Sequence, residues 1–424
     1  MHDIRLLRDG IDRLREGMRR RGVLAEMSPV LDRAVELDVQ RRGFIQAVEE
    51  RKARRNAATQ EVARLRRAGE DASALMDGSR ALGEEIARIE ADRAETEGEL
   101  DRIMLEIPNV TQLDVPEGGE ENNRIVREWG DPRPADGVRP HWEVGEELGL
   151  LDFQRGAKVA GSGFIVFRSA GARLVRALMN FMLDLHTREH AYEEVWVPFV
   201  ANRATMTGTG QLPKFEEDLY RLSDDDLFLV PTAEVPVTNL YRDEILPEAQ
   251  LPRGFVAYTP CFRREAGSHG KDTRGLLRVH EFDKVELVRY TTPEQSDAQL
   301  EVLLAHAETV VQRLGIAYRV KLLASGDTGF ASAQTYDLEA WAPGVGKWLE
   351  ISSCSNFLDF QARRANIRFR PADGGKPRIL HTLNGSALAF ARTIACLLEQ
   401  YQRSDGTIEV PDALRSYVGA DVLR

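Results

Sequence analysis

The sequence has few cysteines, no long apolar run and no excess of positive charge. Its three cysteines, Cys261, Cys354 and Cys396, lie far apart in a chain of 424 residues. This spacing excludes a disulfide framework and a Cys-x-x-Cys metal pair, so we expect reduced thiols and no zinc. Nowhere do eighteen apolar residues follow one another, and the first residues form no apolar leader. We therefore expect a cytoplasmic protein that does not enter a membrane.

The common nucleotide-binding fingerprints are also missing. Gly270-Lys271-Asp272 and Gly346-Lys347-Trp348 lack the Lys-Ser or Lys-Thr ending of a phosphate-binding loop. Gly161-Ser162-Gly163 and Gly208-Thr209-Gly210 lack the third glycine of a dinucleotide turn. A formal net charge of −11, if evenly spread, would oppose binding to nucleic acid. Any nucleotide or RNA site must therefore use another scaffold and a local concentration of basic residues.

Two heptad seams occupy the first quarter of the chain. Apolar and small residues, interrupted by arginines, recur every three or four positions over residues 37–65 and again over 75–107. A polar break at 69–73 separates the seams, and Pro108 ends the second. Such stripes must be buried, which predicts an antiparallel coiled-coil hairpin or pairing with a second copy of the chain. At about 1.5 Å per residue, a helix of about 40 residues projects roughly 60 Å.

The two predicted helices carry opposite charge. Residues 41–67 contain nine bases and three acids, whereas residues 84–106 contain nine acids and three bases. This asymmetry favours pairing within one chain over pairing of like helices. A spacer, a dimerisation coil and a solvated charged face remain alternatives to a surface that follows a phosphate backbone. The basic row comprises Arg51, Lys52, Arg54, Arg55, Arg64, Arg66 and Arg67.

Beyond Pro108 the composition changes to turn-rich and then strand-rich sequence. We place a domain boundary near residue 110, which gives domains 1–110 and 111–424. Helices are predicted at 172–190, 293–314 and 386–402. Strands are predicted at 164–167, 194–197, 255–258, 317–324, 334–341 and 347–352. Strands with few intervening helices favour an α+β fold with an antiparallel sheet flanked by helices.

Three segments resemble the motifs of class II aminoacyl-tRNA synthetases. Residues 262–282, from Phe262-Arg263-Arg264-Glu265 to Val279-His280-Glu281-Phe282, resemble motif 2, in which an arginine ends one strand and a loop leads to the next. Residues 383–392, Leu-Asn-Gly-Ser-Ala-Leu-Ala-Phe-Ala-Arg, resemble motif 3, a small-residue turn that opens a helix. More weakly, the predicted helix near His190 and the strand carrying Pro198 resemble motif 1, the dimer element of the class.

Three more segments resemble the seryl-tRNA synthetase family in particular. They are Pro231-Thr232-Ala233-Glu234, Lys284-Val285-Glu286-Leu287 and Leu349-Glu350-Ile351-Ser352-Ser353-Cys354-Ser355-Asn356. The resemblance spans essentially the whole chain, because the bacterial type of this family also begins with a helical hairpin that grips tRNA. It implies a homodimer that activates serine with ATP and Mg²⁺ and transfers serine to serine tRNA and also to selenocysteine tRNA.

The resemblance also implies site residues. The serine contacts would be Thr232, Ala233, Glu234, Arg263, Glu286 and Ser386. The ATP contacts would be Arg263, Arg264, Glu265, Val279, Phe282, Glu350, Ile351, Ser352, Ser353 and Arg392, of which Arg263, Glu350 and Arg392 would be catalytic. Glu350 and Ser353 would ligate Mg²⁺. The tRNA contacts would include Arg51, Lys52, Arg55, Arg64, His269 and Lys271. Glu281 departs from the usual glutamine of the family.

The chemistry of serine activation suits these residue types. The carboxylate of serine is already ionised, so its attack on the α-phosphorus needs charge neutralisation and positioning rather than a general base. Selection against alanine requires polar groups that bind the hydroxyl. Two other functions stay open: a paralogue that loads another acceptor or serves a biosynthetic or resistance pathway, and a non-catalytic RNA-binding scaffold.

Overall fold

The computed structural model describes residues 1–266 and 274–424 of the chain. It separates into two compact units, one formed by His2–Pro108 and the other by Asn109–Arg424 together with Met1.

The first unit is dominated by two long helices. Its elements are α1 (Leu6–Asp9), α2 (Ile11–Arg20), α3 (Leu24–Ala68) and α4 (Ser73–Glu106). Gly69 follows α3 at φ 74°, and the amide of Glu70 reaches back to the carbonyl of Leu65 at 3.0 Å. Glycine adopts this left-handed conformation without a Cβ penalty, so the chain can stop one helix and start the next within four residues.

The predicted seams face each other along this hairpin. Every seam position from residue 37 to 65 and from 75 to 107 is buried or half-buried, including Leu37 and Leu100, which are each 1% exposed. Acidic α4 side chains pair with basic α3 side chains, as in Arg51–Glu85 at 2.8 Å and Lys52–Glu90 at 2.7 Å. The prediction of an antiparallel hairpin within one chain is therefore confirmed, although α3 begins at Leu24 rather than near Leu37.

The second unit is built on an eight-stranded sheet within residues 109–266 and 274–424. Its strand order is β1-β11-β12-β13-β16-β10-β9-β4, and neighbours are antiparallel except for the parallel pair β4 and β9. The strands are β1 (Arg124–Trp129), β4 (Glu193–Glu194), β9 (Arg253–Phe262), β10 (Glu281–Thr291), β11 (Tyr318–Leu322), β12 (Gln334–Ala342), β13 (Lys347–Leu358) and β16 (His381–Ala389). The predicted α+β fold with an antiparallel sheet is confirmed.

Shorter strands and the flanking helices complete the unit. The small strands are β2 (Leu151–Asp152), β3 (Val166–Phe167), β5 (Val200–Asn202), β6 (Arg221–Leu222), β7 (Leu227–Leu229), β8 (Ile245–Pro247), β14 (Arg368–Arg370), β15 (Arg378–Ile379), β17 (Ile408–Glu409) and β18 (Val422–Leu423). The helices are α5 (His141–Glu147), α6 (Phe153–Ala160), α7 (Ala170–Arg188), α8 (Arg203–Thr209), α9 (Glu234–Thr238), α10 (Ser296–Arg313), α11 (Phe360–Arg364), α12 (Phe390–Gln400) and α13 (Asp412–Val418).

Helices α7, α10 and α12 bury their apolar faces against the sheet in one continuous core, which contains Leu178, Leu303 and Leu397. The contact with α10 is close at Gly385 of β16, where an added Cβ would lie 2.1 Å from the Leu303 side chain. A side chain at this point of the central strand would therefore require Leu303 and Cys354 to move.

Several predicted elements are wrong at their ends, among them the strand 164–167, of which Val166–Phe167 forms β3. Residues 386–389 were predicted to open a helix, but they belong to β16, and α12 starts at Phe390. Small residues such as Ala387 have helical propensity, yet burial between neighbouring strands overrides it. The predicted strand 194–197 is also shorter, since β4 ends at Glu194 and Trp196 is 68% exposed. Among the described residues, no helix is both long and apolar enough to cross a bilayer.

Candidate active site

A cleft of about 610 Å³ opens over strands β9, β10, β13 and β16. Its walls gather residues that are far apart in sequence, because four sheet neighbours and the loops before α9 and β10 converge there. The predicted site residues that line it are Thr232, Glu234, Arg263, Glu265, Val279, Phe282, Glu350, Ile351, Ser352, Ser353, Ser386 and Arg392.

One end of the cleft holds two buried carboxylates that share an amide. The Asn384 side chain donates to Glu234 at 2.9 Å and to Glu286 at 2.8 Å. Ser386 donates its hydroxyl to Glu286 at 3.1 Å, and the Lys284 ammonium lies 2.5 Å from the same carboxylate. Register explains the cluster, because Glu286 on β10 stands opposite Ser386 on β16.

The charge at this end is incompletely balanced. Burial, followed by repulsion from Glu286, raises the pKa of Glu234 to about 7, although the amide of Gln361 donates to it at 2.6 Å. Lys284 is the ammonium in contact with Glu286, so two carboxylates have one close lysine between them. A second cation placed beside Glu234 would favour its ionised form. The pocket is thus suited to a ligand with a positive group and a hydrogen-bonding group.

The cleft also presents guanidinium groups and an aromatic ring. Arg263, directly after β9, lies 5.2 Å from the centre of the Phe282 ring. Arg392, in the first turn of α12, donates through Nε to the Leu277 carbonyl at 3.0 Å and through Nη1 to the Glu350 carbonyl at 2.9 Å. Two anchored guanidinium groups and an aromatic face suit a phosphate chain and a purine.

The turn after Arg263 is held in an unusual backbone conformation. Glu265 has a φ of 52°, in the left-handed region that side chains rarely adopt. Its carboxylate pairs with the guanidinium of Arg278, thirteen residues further along the chain. This ion pair joins Glu265 and Arg278 at the rim of the cleft.

A shallow groove with oxygen groups adjoins the cleft. Glu350 and Ser353 line both cavities, and Asp337, opposite Ser353 in the sheet register, lines the groove. Burial and the nearby Glu350 carboxylate raise the pKa of Asp337 well above its usual range. One Asp337 oxygen is buried without a hydrogen-bond partner. Such an oxygen beside another carboxylate suits a hard divalent cation.

Comparisons with known proteins cover the whole chain. Residues 1–111 match the family described as seryl-tRNA synthetase N-terminal domain, and residues 214–401 match the class II tRNA synthetase core domain for G, H, P, S and T. The serine–tRNA ligase of Gemmatimonas aurantiaca is 64% identical over 100% of both chains. That of Geobacillus kaustophilus is 52% identical, also over 100% of both.

The chain belongs to the seryl-tRNA synthetase family. The crystal structure of the seryl-tRNA synthetase from Pyrococcus horikoshii complexed with ATP is 37% identical, with a TM-score of 0.94 over 100% of this chain and 99% of that one. The cytoplasmic serine–tRNA ligase from Naegleria fowleri in complex with AMP is 29% identical, with a TM-score of 0.89 over the same shares. This chain accordingly has the fold and the ATP-dependent ligase activity of the seryl-tRNA synthetase family.

Some site residues predicted for a seryl-tRNA synthetase lie outside the cleft wall. Ala233 is fully buried behind it, and Glu286 lies beneath it, reached through Asn384 and Ser386. Arg264 points to a separate depression near Tyr220 and Glu216. His269 and Lys271 lie outside the described residues.

The predicted tRNA contacts on the arm are distributed along α3. Arg51 and Lys52 pair with acids of α4, and Arg64 pairs with Glu61 at 2.7 Å. These pairs are half-exposed, and exposed ion pairs are worth only about 0–1 kcal/mol. A phosphate can therefore replace the carboxylates as the partner of these basic side chains at a small cost in free energy.

Sequence reasoning assigned no role to Lys284, Asn384 or Gln361, which complete the carboxylate cluster. A signal was present for two of them. Lys284 and Glu286 are separated by two positions on β10, as are Asn384 and Ser386 on β16, so each pair shares one face of the sheet. Gln361, on the short helix α11, lies outside the quoted segments and gave no signal.

Proposed function

We propose that this cleft joins serine to ATP as seryl-adenylate and then passes serine to the 3′ end of serine tRNA. The observation that carries the proposal is the pair of buried carboxylates, Glu234 and Glu286, bridged by Asn384, beside a cleft that also carries Arg263 and Arg392. An amino acid at one end and a nucleotide at the other would meet over the middle of the sheet.

The carboxylate end would bind serine. The ammonium of serine supplies the positive charge that Glu234 lacks, so binding lowers the pKa of Glu234 from about 7 and releases a proton. Ser386 and Thr232 add hydroxyl groups within the same end of the cleft. A ligand without the serine hydroxyl would leave buried polar groups unpaired, which discriminates strongly against alanine.

The arginine end would bind ATP. Arg263 and Arg392 place positive charge where the triphosphate gathers negative charge, and Phe282 offers a face on which adenine can stack. The serine carboxylate then attacks the α-phosphorus, its oxygen forms the new bond, and diphosphate leaves. No proton moves in this step, so positioning by the two arginines supplies the catalysis.

Mg²⁺ fits the oxygen-lined groove. Glu350 and Ser353 would hold it, and the unpartnered oxygen of Asp337 stands beside them. When bound, Mg²⁺ would neutralise part of the phosphate charge. Glu350 also accepts from Arg392 through its carbonyl, so the same residue aligns an arginine and offers a ligand.

The helical hairpin would bind the tRNA body. Its α3 carries Arg51, Lys52, Arg55 and Arg64, four members of the basic row, and these side chains would bind phosphates of the RNA backbone. The acidic α4 would face away from the RNA. His269 and Lys271 are proposed to meet the acceptor end.

A homodimer in the cytoplasm is the proposed working form. Trp196 is 68% exposed and packs within 6.0 Å of Phe199 and within 5.9 Å of Tyr258, measured between ring centres. This exposed aromatic side chain beside an edge strand is the observation that supports the proposed interface. Sedimentation tests both points. A parent chain with the mass of one subunit would contradict the homodimer, and a Trp196→Glu variant that keeps the mass of two subunits would exclude Trp196 from its interface.

Serine-dependent ATP–pyrophosphate exchange tests the reaction, with alanine, threonine and glycine offered in place of serine. Charging of purified serine tRNA and selenocysteine tRNA follows in the same preparation. Exchange with serine alone, followed by charging of serine tRNA, supports the proposal. Exchange without charging would point to another acceptor, and no exchange would refute the proposed function.

A further inference from the structure

A buried histidine and a buried glutamate lie behind the wall of the cleft. His141 opens α5, Glu399 ends the last turn of α12, and the side chains of both have no exposed surface. One Glu399 oxygen accepts from the His141 backbone amide at 3.0 Å and from His141 Nδ1 at 2.7 Å. The other oxygen accepts from the amides of Gly344 and Val345 at 2.8 and 3.1 Å. Four donors thus fix this carboxylate in place.

The second ring nitrogen of His141 reveals which tautomer is present. The backbone amide of Leu276 lies 2.9 Å from His141 Nε2. A backbone N–H can only donate, so Nε2 must carry a lone pair and Nδ1 must carry the proton that Glu399 accepts. The imidazole is therefore a neutral acceptor aimed at Leu276.

Leu276 and Leu277 belong to the cleft wall, and helix α12 holds them from two sides. Arg392 Nε donates to the Leu277 carbonyl at 3.0 Å, while Glu399 acts on the Leu276 amide through His141. Seven residues, or two helical turns, separate Arg392 from Glu399, so both project from the same face of α12.

The chain passes very close to the ring. At Gly275, with φ +66°, an added Cβ would lie 2.4 Å from His141 Nε2 and 2.8 Å from the Trp142 ring. The Arg274 guanidinium covers that same indole, 4.7 Å from its centre. Three consecutive residues of the motif 2 segment, 274–276, thus contact the side chains of His141 and Trp142.

We propose that His141, oriented by Glu399, is a positioning residue for ATP. It holds Leu276 so that the Leu277 carbonyl fixes the guanidinium of Arg392 toward the cleft. The inference rests on the proposed function, since Arg392 matters there as a phosphate contact. Loss of the His141 acceptor frees Leu276 and Leu277, so Arg392 loses its Leu277 acceptor and keeps that of Glu350. The guanidinium is then less firmly oriented, which weakens the use of ATP and leaves the serine contacts intact.

Two isosteric substitutions separate the halves of this contact. In His141→Gln, the side-chain oxygen takes the place of Nε2 and can still accept from Leu276. In His141→Asn, the side-chain amide takes the place of Nδ1 and can still donate to Glu399, but nothing accepts from Leu276. Both variants remove the ring, so each is the matched control of the other.

We expect His141→Asn to lower kcat/KM for ATP in the exchange reaction at least tenfold, with KM for serine changed less than twofold. The Leu276 amide should exchange its hydrogen faster in this variant, by mass spectrometry of the native protein. His141→Gln should stay within threefold of the parent chain in both measurements. The proposal is overturned by an Asn variant with parental ATP kinetics, or by Gln and Asn variants that lose activity equally.

Gly275→Ala reaches the same contact from the loop side and keeps the test decisive if His141→Asn does not fold. Its Cβ displaces the segment from the ring, so an ATP-specific loss of at least tenfold is expected again. Parental ATP kinetics in Gly275→Ala would overturn the proposal. If the parent chain shows no serine-dependent ATP–pyrophosphate exchange, the proposed function is refuted instead. The rate of hydrogen exchange at the Leu276 amide would still test the contact with His141.

Discussion

Replacement of Asn384 by alanine tests the serine end of the cleft most directly. Its amide donates to Glu234 at 2.9 Å and to Glu286 at 2.8 Å, so the substitution removes two hydrogen bonds to carboxylates at once. Hydrogen bonds to charged groups contribute about 1.5–3 kcal/mol each. If water replaces part of this hydrogen bonding, a net loss of about 3 kcal/mol of transition-state stabilisation remains. This loss corresponds to a decrease of roughly 100-fold in kcat/KM for serine.

The assay is serine-dependent ATP–pyrophosphate exchange with each substrate varied in turn. KM for ATP should change less than about twofold, because Asn384 donates to Glu234 and Glu286, whereas Arg392 is held by the carbonyls of Leu277 and Glu350. Asn122→Ala is the matched control, since the Asn122 amide also donates to a carboxylate, that of Glu121 at 3.1 Å, on the exposed surface. A loss for serine below about threefold, or an equal loss for ATP, would refute the role of the bridge.

Three further predictions concern the other parts of the molecule. Arg263→Ala should abolish exchange while the melting temperature stays within a few degrees, because Arg263 is an exposed side chain at the rim; exchange at the parental rate would remove it from the site. The pKa of Glu234 is about 7 in the folded protein and about 4.5 in the unfolded chain, so the native state keeps this proton up to a higher pH. The free energy of unfolding therefore falls as pH rises across that interval, by up to about 3 kcal/mol. Glu234→Gln should flatten this slope in urea titrations at pH 5 and 7.5 and stop the use of serine, and an unchanged slope would contradict the assignment. In a further variant, residues 42–96 of the helical hairpin are deleted and a short turn joins Arg41 to its ion-pair partner Glu97. This deletion should preserve ATP–pyrophosphate exchange and reduce charging of tRNA at least 100-fold. Undiminished charging would exclude the hairpin from RNA binding.

The long-range architecture was predictable where a periodic pattern existed. The seam through Leu37, Val48 and Leu100 repeats often enough to identify both helices, and their opposite charge identified the partner. The sheet class followed from the many strand-like runs. Ends of elements were less predictable, as at Ala387, because neighbouring strands rather than local propensity decide where β16 stops.

The candidate site was predictable from the sequence where it matched a motif, and it was not where the fold alone creates a contact. The family segments identify Glu234 and Glu286, but nothing in the sequence indicates that the Asn384 side chain joins them. Gln361 reaches Glu234 only because α11 packs beneath the cleft. His141 precedes every motif by many residues, and only the folded chain brings it to Leu276.

The place of β16 in the sheet has a consequence for how the protein is made. This strand runs between β13 and β10, yet it lies near the end of the chain, and it carries Asn384 and Ser386. Until it has left the ribosome, two long neighbours expose unpaired edges that can associate with other chains or attract proteases. A shortened product ending before His381 would therefore be both unstable and without the carboxylate bridge.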